Sequence, residues 1–286
     1  MIKTGNYKEN MILGAVESAL RNRVQKEEAV YGRNSKPSNS LWGHSERVAI
    51  IAERLGRIEG VDPLACRLAS IFHDAGKFGG GGYHDDDEPE EKRSVAVFLE
   101  ITKDKGFEPT LINQVVESIL QLYREDPDPT LLTKVIFDAD NLDKLGYLGI
   151  ANYFIKSGLR GVGISSSCLY RVTVELTYAR YAPQCLATEA GRALASKRAP
   201  ETIIFFKQFL DSLREDGLHD FRIDEVLFGN LLLDVVAPVS CDCGEKLSRR
   251  IWEIPGMKCS EIHLEHICQF CGSRHELRFC RPRLIV

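Results

Sequence analysis

The chain has 286 residues, enough for one large domain or one large and one small, and its 44% hydrophobic and 27% charged residues are ordinary for a soluble globular protein. A formal net charge of -4 gives no global basic field, so the composition does not advertise general affinity for nucleic acid. The longest apolar runs, such as Val226 to Phe228 and Leu231 to Leu233, are far too short to span a bilayer, and Met1 to Lys8 lacks the apolar stretch of a secretory signal, so a cytoplasmic protein with no membrane partner is expected.

The first 235 residues read as helices. Val48, Ile51, Leu55 and Ile58 form an apolar stripe at helical spacing. Asp62-Pro63 reads as a cap with proline at the first helical position, Leu64, Leu68, Ile71 and Phe72 follow, and Gly76 is expected to end that helix. Gly79 to Gly82 is a flexible run, and the acidic segment His84 to Glu91 comes next. Leu111, Val115, Ile119 and Leu122 predict another helix, and Leu132, Ile136 and Ala139 the next. Residues 158–167 read as a loop. A helical stretch starts at Thr188, and an amphipathic helix with Ile203, Phe206, Phe209 and Leu213 is expected after Pro200. Beyond Pro238 the pattern changes to short alternating segments, Arg250 to Ile254 and His275 to Phe279, which read as strands. The expected division is therefore a helical domain over 1–238 and a cysteine-rich domain over 239–286.

Chemistry concentrates at Phe72-His73-Asp74-Ala75-Gly76-Lys77, where adjacent imidazole and carboxylate reach one point from a helix end. His44 lies four residues before Val48, and Asp140 four residues after Ile136, so both are expected to face inward. Buried carboxylates are costly unless paired or bound to metal. Two imidazoles and two carboxylates suit a divalent ion: Mn, Fe, Zn, Ni, Co or Mg.

In order and surroundings these residues resemble the HD superfamily of metal-dependent phosphohydrolases. His44-Ser45-Glu46-Arg47-Val48 matches its His-x-x-Arg-Val opening, and Asp138-Ala139-Asp140-Asn141-Leu142-Asp143 is similar to an Asp-Ala-Asp-Arg-Leu-Asp segment of small stand-alone bacterial members, some of them nucleotide pyrophosphohydrolases. The likeness extends through Thr188 to Ala195 and covers roughly residues 40–215. Two positions depart from the pattern: Asn141 stands where Arg is common, and Glu90 to Ser94 replaces a His-Glu-x-x-Ser segment. The resemblance implies a helical bundle in which His44, His73, Asp74 and Asp140 hold one catalytic ion, with Asp138 as the fallback ligand. Metal-activated water would cleave a phosphate ester or anhydride, expected to be that of a nucleotide. Lys77 is a candidate phosphate contact. Asp143 can orient water or a ribose, Arg47 can bind phosphate or lock the ligand helix, and His84 can reach the site from a lid. Few histidines precede His219, which favours one ion over two. The alternatives are a phosphodiesterase or nuclease on nucleic-acid ends or cyclic nucleotides, and a non-catalytic nucleotide sensor.

Six of the nine cysteines fall between Cys241 and Cys280. Cys66, Cys168 and Cys185 read instead as small core residues. Clustered cysteines in an intracellular chain point to metal before disulfides. Cys241-x-Cys243-Gly and Cys268-x-x-Cys271-Gly read as two knuckles of a zinc-ribbon-like fold, holding one structural zinc. Cys259 or Cys280 can substitute for one ligand, and His263, His266 and His275 are weaker candidates. The ribbon is expected to bind nucleic acid or a protein, or to cap the helical domain or a dimer. The fold class expected is mainly α, with a small C-terminal β domain.

Overall fold

The computed structural model describes residues 5–31, 40–78, 88–122, 128–159, 161–256 and 259–282. It divides into two compact units, Met1–Asp143 and Lys144–Val286.

The first unit is helical, with α1 (Gly5–Tyr31), α2 (Ser40–Glu59), α3 (Pro63–Phe72), α4 (Glu90–Thr102), α5 (Pro109–Gln121) and α6 (Leu131–Leu142). The α2 helix packs on α3 and α6 through the expected stripe: Val48, Ile51 and Leu55 are buried, although Ile58 is exposed. Ile58 lies in the last turn of α2. Asp62 caps α3 by accepting from the Leu64 N–H at 3.1 Å, with Pro63 at the first position where its missing N–H costs nothing. The helix stops at Phe72, earlier than the glycine suggested, and residues 73–78 form turns. Thr130 caps α6 in the same way as Asp62 caps α3. Phe72 and Phe98 meet edge to face at 5.1 Å, joining α3 to α4 in the core. The glycine run at 79–82, His84 and Asp85 to Asp87 lie outside the described residues.

The second unit contains α7 (Gly146–Leu159), α8 (Ser166–Cys185), α9 (Glu189–Glu215), and strands β1 (Phe221–Phe228), β2 (Leu231–Pro238), β3 (Leu247–Ile254), β4 (Glu261–Cys268) and β5 (Arg274–Cys280). The expectation of helix through residue 235 fails here. The hairpin of β1 and β2 turns at Gly229-Asn230, with Phe228 paired to Leu231 and Gly229 at φ 59°. A glycine-asparagine pair between apolar runs is a hairpin signal, and it outweighed the helix-like continuity of Leu231 to Val236. A single helix, α9, also runs through Pro200 where a break was expected. Proline removes one intrahelical bond, yet buried Ala195, Ala199, Thr202 and Phe206 anchor both halves.

The α8 helix lies along β2. Thr173 accepts from the Val236 N–H at 2.9 Å, Tyr181 accepts from the Leu232 N–H at 2.6 Å, and Arg180 holds the fully buried Asp234 carboxylate with two bonds of 2.7 Å. The second sheet has the order β3-β4-β5, with both pairs antiparallel. Its inner face shares one apolar core with α8 and β2, through Ile262, Leu264, Leu277, Leu169, Val172, Leu233 and Val235. The cysteine-rich strands therefore rest on the helices before them. A mainly helical protein with a small C-terminal β region is the observed class. Among the described residues, no helix is long and apolar enough to cross a membrane.

Candidate metal centre

Three helical segments bring His44 (α2), His73 and Asp74 (the turn after α3) and Asp140 (α6) together, all buried. One ligand atom from each of His44, His73 and Asp140 lies within 4.8 Å of the others. His44 Nε2 is 3.3 Å from Asp140 Oδ1 and 3.7 Å from Asp74 Oδ2, and His73 Nε2 is 3.5 Å from Asp74 Oδ1. The imidazole centroids are 5.3 Å apart. Asp138 is fully buried as well; like Asp74, it stands outside the group of three ligand atoms that lie within 4.8 Å of one another.

Each imidazole has its outer nitrogen tied. His73 Nδ1 donates to the Ser70 carbonyl at 2.6 Å, and His44 Nδ1 donates to Asp143 Oδ2 at 2.9 Å. A proton on Nδ1 leaves a lone pair on Nε2, so both lone pairs are available to one region. His73 Nε2 and Asp74 Oδ1 are buried with no hydrogen-bond partner among the described residues. Buried polar atoms left this way cost about 1–3 kcal/mol each, and a cation bound between them removes that cost. The donor set therefore fits a divalent ion.

Electrostatics agree. Burial dominates at His73 and lowers its pKa, although Asp74 and Asp140 pull the other way. Burial alone would raise Asp74, but His73, Lys77 and His44 outweigh it and hold this carboxylate below the usual range. At His44, burial is outweighed by bonds to Asp140 and Asp143, which raise its pKa. Asp143 is held low against its own burial by His44 and Arg47.

The remaining candidates take definite places. Lys77 Nζ donates to Asp74 Oδ2 at 2.6 Å. Arg47 grips Asp143 with two bonds, 2.8 Å from Nε and 3.0 Å from Nη2, so the structure couples it to His44 through Asp143. Asn141 turns back to the Phe137 carbonyl at 2.7 Å. His84 lies outside the described residues. Sequence reasoning missed how α4 fixes the turn. Ser94 Oγ donates to the His73 carbonyl at 3.0 Å and accepts from the Gly76 N–H at 2.9 Å, while Arg93 Nε donates to the Gly76 carbonyl at 2.8 Å. A Cβ at Gly76 would meet the Arg93 Cβ at 2.5 Å and the Glu90 carbonyl at 2.7 Å, so close approach of α4 requires glycine there.

A separate group forms in the second unit from Cys241, Cys243, Cys268 and Cys271, whose sulfurs all lie within 4.8 Å of one another. Gly244 and Gly272 take φ of 84° and 77°, and the N–H of each turns back to the carbonyl of Cys241 or Cys268. Backbone N–H groups of Cys271 and Phe270 bring the Cys268 thiol down to about 7. The four thiols fit a closed structural zinc site. Cys259 and Cys280 do not join it: they form a disulfide, which corrects the expectation that either could serve as a ligand. Antiparallel pairing sets Cys280 opposite Glu261, close to Cys259 at the start of β4. His266 is also engaged elsewhere, donating to the Tyr170 hydroxyl at 2.9 Å and accepting from Arg249 at 2.8 Å. His263 stacks on Trp252, and His275 packs against Tyr170.

Residues 41–145 match the sequence profile described as HD domain. No curated protein matches the chain at a significant level. Similar solved structures include Bacillus subtilis YpgQ in complex with ADP, at 20% identity over 73% of this chain and 96% of that one, with a TM-score of 0.50. A Lactobacillus plantarum protein is 19% identical over 76% of this chain and 100% of its own, also at 0.50. A protein of an uncultured Thermotogales bacterium, described as a predicted HD superfamily hydrolase, is 19% identical over 69% and 90%, at 0.48. The profile encloses His44, His73-Asp74 and Asp140, so residues 41–145 carry an HD domain, and these four residues lie within it.

Proposed function

We propose that the protein hydrolyses a phosphate ester or anhydride of a nucleotide, using one divalent ion held by His44, His73, Asp74 and Asp140. The observation that carries this is the pair of imidazoles tied at Nδ1, with both Nε2 atoms turned toward two buried carboxylates. Such an ion supplies Lewis-acid activation of water and neutralises phosphate oxygens. The protein residues do the remaining work. Asp143 and Arg47 hold His44 in the tautomer whose Nε2 can bind metal. Lys77 keeps the Asp74 carboxylate ionised and oriented, and its partly exposed ammonium is placed at the edge of the site to meet a substrate phosphate. Ser94 and Arg93 fix the turn carrying His73 and Asp74.

The nucleotide rests on two supports: the Asp-Ala-Asp-x-Leu-Asp segment, and the shared fold with YpgQ, which has been solved with ADP. In the second unit the four cysteines are proposed to bind structural zinc, with the cysteine-rich region beginning near residue 239. The test is incubation of metal-supplemented protein with nucleoside mono-, di- and triphosphates, cyclic nucleotides and short oligonucleotides. Release of phosphate or pyrophosphate from a mononucleotide supports the proposal. Shortening of oligonucleotides or opening of cyclic nucleotides would replace it with a phosphodiesterase, and binding without product with a sensor.

A further inference from the structure

The outer face of the β3-β4-β5 sheet carries a chemistry that the hydrolase site does not use. Strand pairing sets Trp252 beside His263, and His263 beside Arg278, in one row across three strands. Arg250, two residues from Trp252 on β3, shares this face. The opposite face, with Ile262, Leu264 and Leu277, is the one packed into the core. Trp252 is 40% exposed, and its indole is stacked on the His263 imidazole, with centroids 5.3 Å apart and planes 24° apart. The stack fixes the orientation of the indole, so ordering it on binding costs little entropy. At the end of the same sheet, Phe270 projects from the second knuckle with 81% exposure. From His263 to Cys268, where the knuckle begins, β4 extends about 17 Å.

The charges near this row are unequally engaged. Arg274 pairs with Glu265 at 3.0 Å and Glu276 at 2.8 Å, Arg281 pairs with Glu253 at 2.6 Å, and His263 lies 3.4 Å from Glu261. Glu253, Glu265 and Glu276 thus each have an arginine partner, Glu265 and Glu276 sharing Arg274. Arg250 and Arg278 are exposed and have no ion pair or hydrogen bond among the described residues. Two free guanidinium groups beside an oriented, solvent-facing aromatic ring match a chain of flat bases joined by phosphates. A duplex would hide the base faces from the indole, and a peptide would give the guanidinium groups no regular anions.

We propose that this face of the sheet binds single-stranded nucleic acid, with a base stacked on Trp252 and backbone phosphates on Arg250 and Arg278. This goes beyond the proposed hydrolase reading and does not depend on it. The test uses the full-length, zinc-loaded protein with short oligo(U), oligo(dT) and a matched duplex, followed by anisotropy and by tryptophan fluorescence. Because Trp42, the other tryptophan, is buried, quenching on binding is expected to come from Trp252 and to vanish in Trp252→Phe. Trp252→Ala is expected to weaken single-strand binding about 5- to 100-fold. Arg250→Ala and Arg278→Ala should each lower the salt dependence by about one counterion. Zinc content confirms that each variant is folded. Preference between oligo(U) and oligo(dT) identifies RNA or DNA as the ligand. No binding of either, equal affinity for the duplex, binding indifferent to all three alanine variants, or occupation of this face by a protein partner alone would overturn the proposal.

Discussion

The two units each gather residues that could hold a metal ion, His44, His73 and Asp140 with Asp74 beside them in the first and four cysteines in the second, and the contrast lies in what surrounds them. In the first unit the donors are imidazole nitrogens and carboxylate oxygens on two helices and the turn after α3, buried, with two atoms left unpartnered among the described residues. Three of these residues are backed by a further group: Ser70 behind His73, Asp143 and Arg47 behind His44, and Lys77 behind Asp74. In the second unit the donors are thiols on two glycine turns, two buried and two exposed, supported by backbone alone. Hard and intermediate donors, carefully oriented, suit an ion that does chemistry. Four sulfurs fill every position of a tetrahedral ion and leave none for substrate, so they suit an ion that holds a fold. Similar ligand counts thus lead to opposite roles.

This contrast can be broken most severely at the ligands themselves. His73→Ala combined with Asp74→Ala is expected to reduce turnover to the level of a buffer blank while leaving the cysteine-bound ion in place. A steady-state assay with metal analysis checks both halves. Cys268→Ser should do the reverse. It removes the structural ion and costs several kcal/mol in urea unfolding, because the small sheet has little core apart from its contacts with α8 and β2. Metal bound at the first unit should survive that change.

A smaller effect is expected behind His44. Asp143→Asn keeps an acceptor for Nδ1 but loses the charge that Arg47 completes, so metal affinity should fall about 10- to 100-fold. Isothermal titration of the apo protein measures this directly, and unchanged affinity would mean that Asp143 serves substrate alone.

The smallest effect concerns His266, which sits between Tyr170 and Arg249. Burial, then the Arg249 charge, lowers its pKa to about 4. In the unfolded chain it titrates near 6.5, so between those values the unfolded state binds more protons. Stability from this group is full above about pH 6.5 and is lost progressively as pH falls toward about 4. Urea melts of wild type and His266→Gln across this window separate the effect from thiolate protonation, which both proteins share. The wild type should show the steeper loss.

The first unit was the more legible in sequence. Helical periodicity carried α2, α3, α5 and α6 and predicted that His44 and Asp140 face inward, while the family resemblance joined them with His73-Asp74 as one ligand set. The supporting bonds were not legible, because they join residues 99 apart, as in His44 and Asp143, or depend on where α4 lands on a turn, as with Ser94. In the second unit local spacing revealed the knuckles and the strands around Trp252 and Leu277. The hairpin of β1 and β2 was missed because a continuous apolar run fits a buried helix or a buried strand, and Gly229-Asn230 alone distinguishes them. The Cys259 and Cys280 pairing depends on strand register, which spacing does not encode.

The central claim is most directly tested by counting and typing the metal in purified protein, by elemental analysis with X-ray absorption on wild type and on the His73→Ala, Asp74→Ala variant. Two ions per chain are predicted, one in a sulfur environment and one bound by nitrogen and oxygen, with only the latter absent from the variant. A single sulfur-bound ion in both proteins, after saturation with each candidate divalent metal, would contradict the account.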